Sequence, residues 1–220
     1  DSKKFLLTGA SGGLGSEIAL QLHQSGVELI LVGRKTETLE GIAKQLNNHG
    51  GAAVTYFAAD ISKKSEREKL IEFCKQNHTD LDGLINNAGT NEFALLCDSD
   101  GEQYADILAT NLSAPIHLSH QLLPLLQNRK NAVIVNVGST LGSIGFPGYS
   151  VYCASKFGLR GFTEALRREL FGSSIQVLYF APRSIKTSMN SQQVDAMNSE
   201  LGAKSDEPKM VAKQLVDALK

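Results

Sequence analysis

The sequence predicts an α/β fold in which a doubly wound parallel sheet carries helices on both faces. The prediction rests on short, nearly continuous apolar runs, on longer stretches with helical periodicity, and on their alternation along the chain. Strands buried on both faces read as continuous apolar runs, and strand–helix–strand repetition is typical of parallel sheets. The 220 residues are enough for one domain with a substantial core, so we predict a single domain over residues 1–220.

Six apolar runs are predicted as strands, and the segments between and after them as helices. The strands are 4–8, 28–32, 53–57, 83–86, 132–137 and 175–180. The helices are 14–25, 37–48, 65–77, a long stretch near 101–127, 151–171 and a last amphipathic helix that Ser205 is expected to cap. Residues at about 184–203 are polar with a few apolar side chains, and we interpret them as a mobile helical lid over a substrate.

Composition and charge exclude several classes of partner. The formal net charge of -1 disfavours nucleic acid or an anionic membrane surface. No apolar run reaches the roughly 18 residues that a membrane span needs, and the start shows no signal-peptide pattern. The three cysteines are far apart, and no histidine stands at metal-ligand spacing from them. We therefore expect a reduced, cytoplasmic protein without a metal site.

A glycine-rich loop lies between the first predicted strand and the first predicted helix. It reads Thr8-Gly9-Ala10-Ser11-Gly12-Gly13-Leu14-Gly15. Glycine lets the backbone turn tightly and approach a pyrophosphate, and the N-terminus of the following helix attracts its negative charge. The residues predicted to bind a dinucleotide here are Gly9, Ser11, Gly12, Gly13, Leu14 and Gly15. The alternative is that the glycines only shape a tight turn.

The end of the second strand bears on which dinucleotide binds. An NAD-selective site usually has a carboxylate about 20 residues past the glycine loop, bound to the ribose 2′-hydroxyl. That place holds Gly33 followed by Arg34. A guanidinium pairs with a 2′-phosphate that a carboxylate would repel, so we predict NADP in preference to NAD. The alternative is that Arg34 is a solvated surface residue.

Asp60 and Ile61, which follow the third strand, are candidates for the adenine end of the cofactor. We expect Asp60 to accept a hydrogen bond from the adenine amino group and Ile61 to contact the ring. A second interpretation, which stays open at this point, is that the Asp60 carboxylate caps Ser62 and the turn that follows.

Tyr152 and Lys156 form a pair suited to proton transfer. They stand four residues apart in a predicted helix, which places them on one face. A free tyrosine has a pKa of about 10, too high for efficient proton exchange at neutral pH. An ammonium at about 4 Å supplies roughly the 4 kcal/mol that brings this pKa towards 7. The spacing therefore predicts that Tyr152 is a general acid/base.

Two further polar residues complete the predicted catalytic set. Ser139 follows the fifth strand, where its hydroxyl can hold a substrate oxygen next to the phenol, and Asn111 can bind a water that links Lys156 to solvent. Each residue alone has an ordinary structural explanation, but together they favour a proton relay. Tyr149 is a competing phenol that we expect to line the substrate pocket instead.

These motifs, in this order and spacing, resemble the short-chain dehydrogenase/reductase family from Lys4 to about Thr187. The matching motifs are the glycine loop, Asn86-Asn87-Ala88-Gly89, Ser139 and Tyr152-x-x-x-Lys156, with Asn111 at the place of the family's fourth catalytic residue. The resemblance implies a Rossmann fold with NAD(P) bound and Tyr152 as the acid/base. It also implies that Lys156 holds the nicotinamide ribose, that Asn87, Ala88 and Gly89 lie along the adenosine ribose, and that Pro182 and Thr187 contact the cofactor.

The sequence departs from the family pattern in two places. Pro182 is followed by Arg183 where the family generally has glycine, and Arg183 either binds a cofactor phosphate or an acidic substrate group, or turns outward. The chain ends at Lys220, whereas family members usually continue into a seventh strand. A tetramer that uses that edge is therefore in doubt. We expect a homodimer built on the helices 101–127 and 151–171, or a homotetramer.

The resulting functional hypothesis is an NADP-dependent oxidoreductase that interconverts a carbonyl and an alcohol by hydride transfer. The candidate pocket residues Leu141, Ile144, Phe146 and Tyr149 favour an apolar ketone or alcohol, and an oxoacyl thioester, a steroid-like ketone or a small aromatic carbonyl all remain open. The alternative is an NADP(H)-sensing binding protein with little turnover. An epimerase or dehydratase is disfavoured because little sequence follows Pro182 to form a substrate domain.

Overall fold

The computed structural model describes residues 2–99, 101–186 and 205–219, and its strands form one parallel sheet. The strands are β1 (Lys4–Thr8), β2 (Glu28–Gly33), β3 (Val54–Ala58), β4 (Gly83–Asn86), β5 (Ala132–Val137) and β6 (Ile175–Phe180). Their order across the sheet is β3-β2-β1-β4-β5-β6, and every neighbouring pair is parallel. The predicted strands are thus confirmed, with shifts of one residue at the ends of β2 and β3.

Helices connect the strands. They are α1 (Gly13–Gln24), α2 (Thr36–Asn48), α3 (Lys64–Asn77), α4 (Gly101–Leu108), α5 (Ala114–Gln127), α6 (Ser150–Glu169) and α7 (Pro208–Asp217). A π-helical turn (Ala109–Ser113) joins α4 to α5, and a 3-10 turn (Thr140–Gly142) precedes α6. The long predicted stretch near 101–127 is therefore interrupted by a wider turn, which centres on Asn111. No helix in the described part of the chain is long and apolar enough to cross a membrane.

The apolar core has two layers, one on each face of the sheet. Alternate residues of a strand point to opposite faces, and accordingly Leu7 packs in the layer under α1, α2 and α7, while Leu6 packs in the layer under α3, α5 and α6. Both side chains are fully buried. Because the four inner strands are covered on both faces, their apolar residues run almost without interruption. The predicted doubly wound α/β fold is confirmed.

The start of the last helix differs from the prediction. The helix begins at Pro208 with Glu207 before it, and no side chain caps it. Proline suits the first turn because its fixed φ is helical and its missing N–H needs no acceptor there. The Ser205 hydroxyl instead lies 3.0 Å from the Ser184 hydroxyl. The prediction that Ser205 caps this helix was therefore wrong.

Residues 184–186 and 205–207 run side by side before α7. Asp206 N–H donates to Ser184 O at 2.8 Å, and Lys186 N–H donates to Asp206 O at 3.1 Å. Lys186 Nζ also lies 2.6 Å from Glu207 Oε1. Most of the predicted lid, and Thr187 with it, lies outside the described residues.

The sheet order places the site. The chain moves outward from β1 to β2 and β3 and then returns to place β4 on the other side of β1. The helices that follow β1 and β4 therefore lie on opposite faces of the sheet, and parallel α/β sheets open a ligand crevice at the carboxyl edge of such a point.

Candidate active site

The glycine loop after β1 is held against the loop after β4. Gly9 has φ of +67°, and a Cβ there would lie 2.7 Å from Ala88 Cα. A Cβ at Gly15 would clash with the Gly9 carbonyl. Both positions therefore require glycine. Gly9 needs it for its positive φ and for the close approach of the loop after β4, and Gly15 needs it because α1 lies against the Gly9 carbonyl.

The first turn of α1 provides backbone donors for an anion. Gly12 precedes the helix without a side-chain capping bond, and the first turn holds no acidic residue. The N–H groups of Gly13, Leu14 and Gly15 have no acceptor within the helix, because the first turn of any α-helix leaves such groups unpaired. A negatively charged group fits this arrangement of donors and the positive end of the helix dipole. The residues present thus suit a pyrophosphate.

Thr8, which the sequence analysis did not single out, joins the two loops. Its Oγ1 accepts hydrogen bonds from the N–H groups of Asn87 (3.0 Å) and Ala88 (3.1 Å). The Asn87 side chain returns the connection, because its Nδ2 donates to the carbonyls of Thr8 (3.0 Å) and Gly9 (3.2 Å). The only sequence signal was a hydroxyl residue at the end of a buried strand. Four hydrogen bonds therefore fix the crevice walls relative to each other.

Arg34 lies at the end of β2, next to the glycine loop. A Cβ at the preceding Gly33 would be 3.0 Å from Ser11 Oγ, so this strand end and the loop nearly touch. The Arg34 side chain is exposed, and the described residues offer it no ion-pair partner within 4 Å. Its guanidinium is therefore available beside the region where the loop would hold a dinucleotide.

The structure favours the second interpretation of Asp60. Its Oδ1 accepts hydrogen bonds from Ser62 N–H (3.0 Å) and Ser62 Oγ (2.7 Å). Burial by itself would raise the pKa of Asp60, but the Ser62 hydrogen bonds and the positive charges of Lys63 and Arg34 hold it below its usual value. Ile61 is buried in the core. The Asp60 carboxylate thus organises its own turn, and the adenine contacts stay predictions.

Tyr152, Lys156 and Ser139 come together between β5 and α6. Lys156 Nζ lies 5.7 Å from the centroid of the Tyr152 ring and donates to Val137 O at 3.0 Å. The Ser139 side chain lies beside the Tyr152 phenol, and its hydrogen bond lowers the pKa of that phenol. Ser139 Oγ also accepts from Leu141 N–H at 3.1 Å, which fixes the serine at the start of the 3-10 turn.

The electrostatics of this pair add burial to the sequence-based argument. Burial raises the pKa of Tyr152 to about 12, and the hydrogen bond from Ser139 offsets only part of that effect. Burial lowers the pKa of Lys156 to about 8. Burial thus disfavours the charged form of both side chains. Burial therefore opposes the shift towards 7 that the helical spacing predicts, and the effect of Lys156 on the phenol stays a prediction.

Asn111 sits in the π-helical turn and is completely buried. Its Oδ1 accepts from Thr90 N–H at 2.8 Å, and its Nδ2 donates to Thr90 O (2.8 Å) and Ser155 Oγ (3.1 Å). These bonds use both donors of the amide and leave one acceptor site on Oδ1. The predicted water bridge would have to use that site or the backbone, and it stays a prediction.

Gly89 connects the Asn-Asn-Ala-Gly loop to the catalytic set. A Cβ at this position would lie 3.4 Å from Asn111 Oδ1 and 3.7 Å from Lys156 Nζ. Asn87 and Ala88 contact the glycine loop instead, as described above. One short loop thus runs from the predicted pyrophosphate site to the predicted proton-transfer site.

A shallow cleft opens beside Tyr152. Its lining comes from the loop after β4, from α4 and from the start of α6: Glu92, Ala94, Leu96, Ser99, Tyr104, Ile107, Gly148, Ser150, Val151 and Tyr152. Among the predicted pocket residues, Leu141, Phe146 and Tyr149 pack together with Phe93 and Tyr152, whereas Ile144 is mostly exposed. The sequence analysis missed the loop 92–99 because it carries no periodic pattern.

Arg183 turns to the surface and pairs with Asp206. Its Nη2 lies 3.0 Å from Asp206 Oδ1, and its side chain is 66% exposed. Of the two possibilities left open by the sequence, the structure shows the outward one. Pro182 stays at the site, because its carbonyl accepts from Thr140 N–H at 3.2 Å.

Comparisons with known proteins agree with the fold and the motifs. A family model described as short chain dehydrogenase matches residues 3–198. The chain is 34% identical to the 3-oxoacyl-(acyl-carrier-protein) reductase FabG of Haemophilus influenzae, over 86% of this chain and 77% of that protein. It is 33% identical to an NADP-dependent 3-hydroxy acid dehydrogenase of Schizosaccharomyces pombe, over 85% of this chain and 73% of that protein.

Solved structures give the same result. A short-chain dehydrogenase from Sphingobium yanoikuyae in complex with NADPH superposes with a TM-score of 0.88 at 25% identity, covering 99% of this chain and 85% of that one. A variant of the actinorhodin polyketide ketoreductase with NADPH gives a TM-score of 0.89 at 28% identity, covering 100% of this chain and 91% of that one. The chain belongs to the short-chain dehydrogenase family, and it is an oxidoreductase that acts on CH–OH or ketone groups.

Proposed function

We propose that this protein is an NADP-dependent reductase of an apolar ketone, with Tyr152 as its general acid/base. The observation that carries the proposal is the grouping of Tyr152, Ser139 and Lys156 at the carboxyl edge of the sheet, joined through Gly89 to the anion-binding end of α1. A binding site alone needs no phenol, hydroxyl and amine in one place. Proton transfer to a carbonyl oxygen can use all three, as proton donor, as holder of the oxygen and as the group that restores the donor.

The residues that would hold the cofactor lie along one path. The backbone of Gly13, Leu14 and Gly15 would bind the pyrophosphate, and Arg34 would bind the 2′-phosphate of the adenosine ribose. When bound, the cofactor would supply the hydride. Preference for NADP over NAD is supported by the free guanidinium at the end of β2, and by the NADPH and NADP in the names of the similar proteins.

The catalytic residues divide the proton transfer between them. Ser139 holds the substrate oxygen, and Tyr152 gives its proton to that oxygen as the alkoxide forms. With its pKa of about 12, the phenol stays protonated at neutral pH and is ready to donate. Lys156, with its pKa lowered to about 8, still carries its proton at neutral pH and can return it to Tyr152. In this arrangement Lys156 restores the phenol rather than acidifying it.

The cleft lining has an apolar part beside the polar side chains of Glu92, Ser99 and Tyr104. Leu96, Ile107 and Val151 lie on the cleft surface with Tyr152, and the cluster around Tyr149 closes the site nearby. Leu96 is 61% exposed, so it offers apolar surface to a ligand. Two of the similar proteins are named for the reduction of keto groups on acyl or polyketide chains. A ketone on an apolar chain is the substrate class that fits both.

We also propose that the protein forms a homodimer through α4, α5 and α6. Each of these three packed helices presents an exposed apolar side chain: Leu108, Ile116 and Phe157. A self-complementary apolar face is how two-fold dimers commonly associate. Phe157→Glu should shift the mass measured by light scattering from dimer to monomer.

The test of the proposed function is turnover. Purified protein should oxidise NADPH in the presence of at least one member of a panel of apolar ketones, measured by absorbance at the nicotinamide band. Tyr152→Phe should reduce kcat by at least about 100-fold, because only the proton donor is removed. NADPH binding, measured by fluorescence, should persist in the variant.

Full activity of Tyr152→Phe would refute the assignment of the acid/base. Tight NADPH binding by the unaltered protein without turnover on any ketone would instead support a sensing function. Tyr104→Phe serves as a comparison, since it removes a phenol from the same cleft at a position with no predicted role in proton transfer.

A further inference from the structure

Tyr179 on β6 packs beneath the loop that carries Ser139. It pairs in register with Asn136 of β5, so its side chain lies on the face of the sheet that α6 covers. Its hydroxyl is 3.5 Å from Ser139 O and 3.5 Å from Lys156 O. One side chain therefore touches the backbone of two predicted catalytic residues that come from different elements.

Two glycines make room for this ring. A Cβ at Gly138 would clash with the Tyr179 ring and hydroxyl, and a Cβ at Gly142 would clash with the hydroxyl and lie 3.0 Å from Lys156 O. Gly138 and Gly142 stand on either side of the Ser139 turn. Neither has a positive φ, so the space and not the backbone conformation requires glycine. The Tyr179 side chain therefore occupies the space that side chains at Gly138 and Gly142 would fill.

The surroundings keep Tyr179 in its neutral form. Burial raises its pKa, although a hydrogen bond from the Ser139 backbone and the charge of Arg160 oppose that effect. The phenol therefore retains its proton over the neutral range and can donate to either carbonyl. The two O···O distances are long for hydrogen bonds. The packing of the ring against the turn therefore contributes more to holding the turn than the hydroxyl does.

We propose that Tyr179 is a positioning residue that sets the distance between Ser139 and the Tyr152–Lys156 face of α6. The ring occupies the space between the Ser139 turn and the helix, so the turn cannot move inward, and the contact with Lys156 O ties the helix to the same point. The inference rests on the proposed function, because it concerns the geometry of the proton transfer. Tyr179 itself has no contact with a substrate in this proposal.

Gly138→Ala combined with Tyr179→Ala gives the decisive test. Gly138→Ala should push the Ser139 turn away from the phenol and lower kcat on the order of 100-fold, since a displacement of about 1 Å has such an effect on well-aligned reactions. KM for NADPH should change little, because the glycine loop and Arg34 are distant. Tyr179→Ala alone should also lower kcat, since it leaves the turn unsupported. The double variant should be more active than Gly138→Ala alone, because the added methyl then enters vacated space.

Tyr179→Phe separates the ring from the hydroxyl. It keeps the packing, so it should retain most of the kcat that Tyr179→Ala loses. Tyr56→Ala is the matched control: it removes a partly buried tyrosine from β3, far from Ser139, and should lower the melting temperature without lowering kcat. If Tyr179→Ala does not fold, the comparison of Gly138→Ala with Gly138→Ala/Tyr179→Leu still reports on the clash, because leucine lacks the ring atoms that the added Cβ would meet.

Unchanged kcat in Gly138→Ala or in Tyr179→Ala would overturn the proposal. It would also be overturned if Tyr56→Ala, with a similar loss of melting temperature, lost as much kcat as these variants do. Tyr152→Phe, assayed in the same series, reports on the acid/base assignment alone. A failure of that assignment therefore remains distinguishable from a failure of the positioning role.

Discussion

The buried Lys156 should make the folded protein more stable as the pH rises from neutral. Its pKa in the fold is about 8, against an ordinary value of 10.5, because burial disfavours the ammonium. Below pH 8 the folded chain must carry a buried charge. Between about 8 and 10.5 the unfolded chain binds more protons than the folded one, so the free energy of unfolding increases with pH across this window.

The size of the effect follows from the two pKa values. At about 1.4 kcal/mol per pH unit, the difference corresponds to about 3 kcal/mol. Lys156→Met removes the ionisable group and should abolish this gain. At pH 7 the variant should be at least as stable as the parent protein, because the avoided cost of the charge exceeds or equals the 1.5–3 kcal/mol or so of the lost hydrogen bond to Val137 O.

The assay is urea unfolding followed by circular dichroism at pH 7, 8, 9 and 10, with the parent and variant compared at each pH. The difference between them isolates Lys156, since every other titrating group is common to both chains. Lys44→Met, at an exposed position on α2, is the control and should show no such trend. A difference between parent and Lys156→Met that stays flat from pH 7 to 10 would refute the argument from burial.

Three further substitutions test the cofactor site and the surface near Pro182. Arg34→Ala should raise KM for NADPH at least tenfold and leave KM for NADH nearly unchanged, because only NADPH carries the phosphate that the guanidinium would bind; equal effects in steady-state kinetics would contradict the NADP preference. Gly15→Ala should remove NADPH binding in a fluorescence titration, because the added methyl clashes with Gly9 O and displaces α1. Arg183→Gly should leave kcat and KM within about twofold, since the side chain is exposed and pairs with Asp206, and an exposed ion pair contributes little; a tenfold change with any substrate would restore a ligand-binding role for Arg183.

Matched controls sharpen the first two of these tests. Gly41→Ala places a methyl on α2 where no atom lies within 4 Å, so it should leave NADPH binding intact. Lys35→Ala removes the exposed charge next to Arg34. It should leave the ratio of KM for NADPH to KM for NADH unchanged. A loss of binding in Gly41→Ala would show that the Gly15→Ala result reflects general damage.

The fold was predictable because its signals are local and repeated. The inner strands, such as β2 with Leu29-Ile30-Leu31-Val32, are buried on both faces and therefore read as continuous apolar runs. The catalytic residues could be picked out because Tyr152 and Lys156 share a helix, where sequence spacing determines geometry. Their positions in the structure agree with that reasoning, whereas their roles stay predictions.

What sequence reasoning missed depends on contacts between distant segments. Thr8 reaches Asn87 only because β1 and β4 are neighbours, and Tyr179 reaches Gly138 only because β5 and β6 are. The effect of burial on the Tyr152 pKa could not be foreseen, because spacing on a helix gives proximity to a cation but not the depth of burial. Burial opposes the charged form of both partners, and its magnitude appears only once the surrounding elements are packed.

The hydrogen bonds between Thr8 and the loop after β4 have a thermodynamic consequence for ligand capture. Since these bonds form within the polypeptide itself, the backbone geometry needed by a dinucleotide already exists before any dinucleotide arrives. Binding of the dinucleotide then requires little ordering of the main chain. Most of the entropy that is lost on binding is therefore the translational and rotational entropy of the dinucleotide. Thr8→Val, which keeps the shape and removes the hydroxyl, should therefore weaken NADPH affinity mainly through a less favourable entropy in calorimetry.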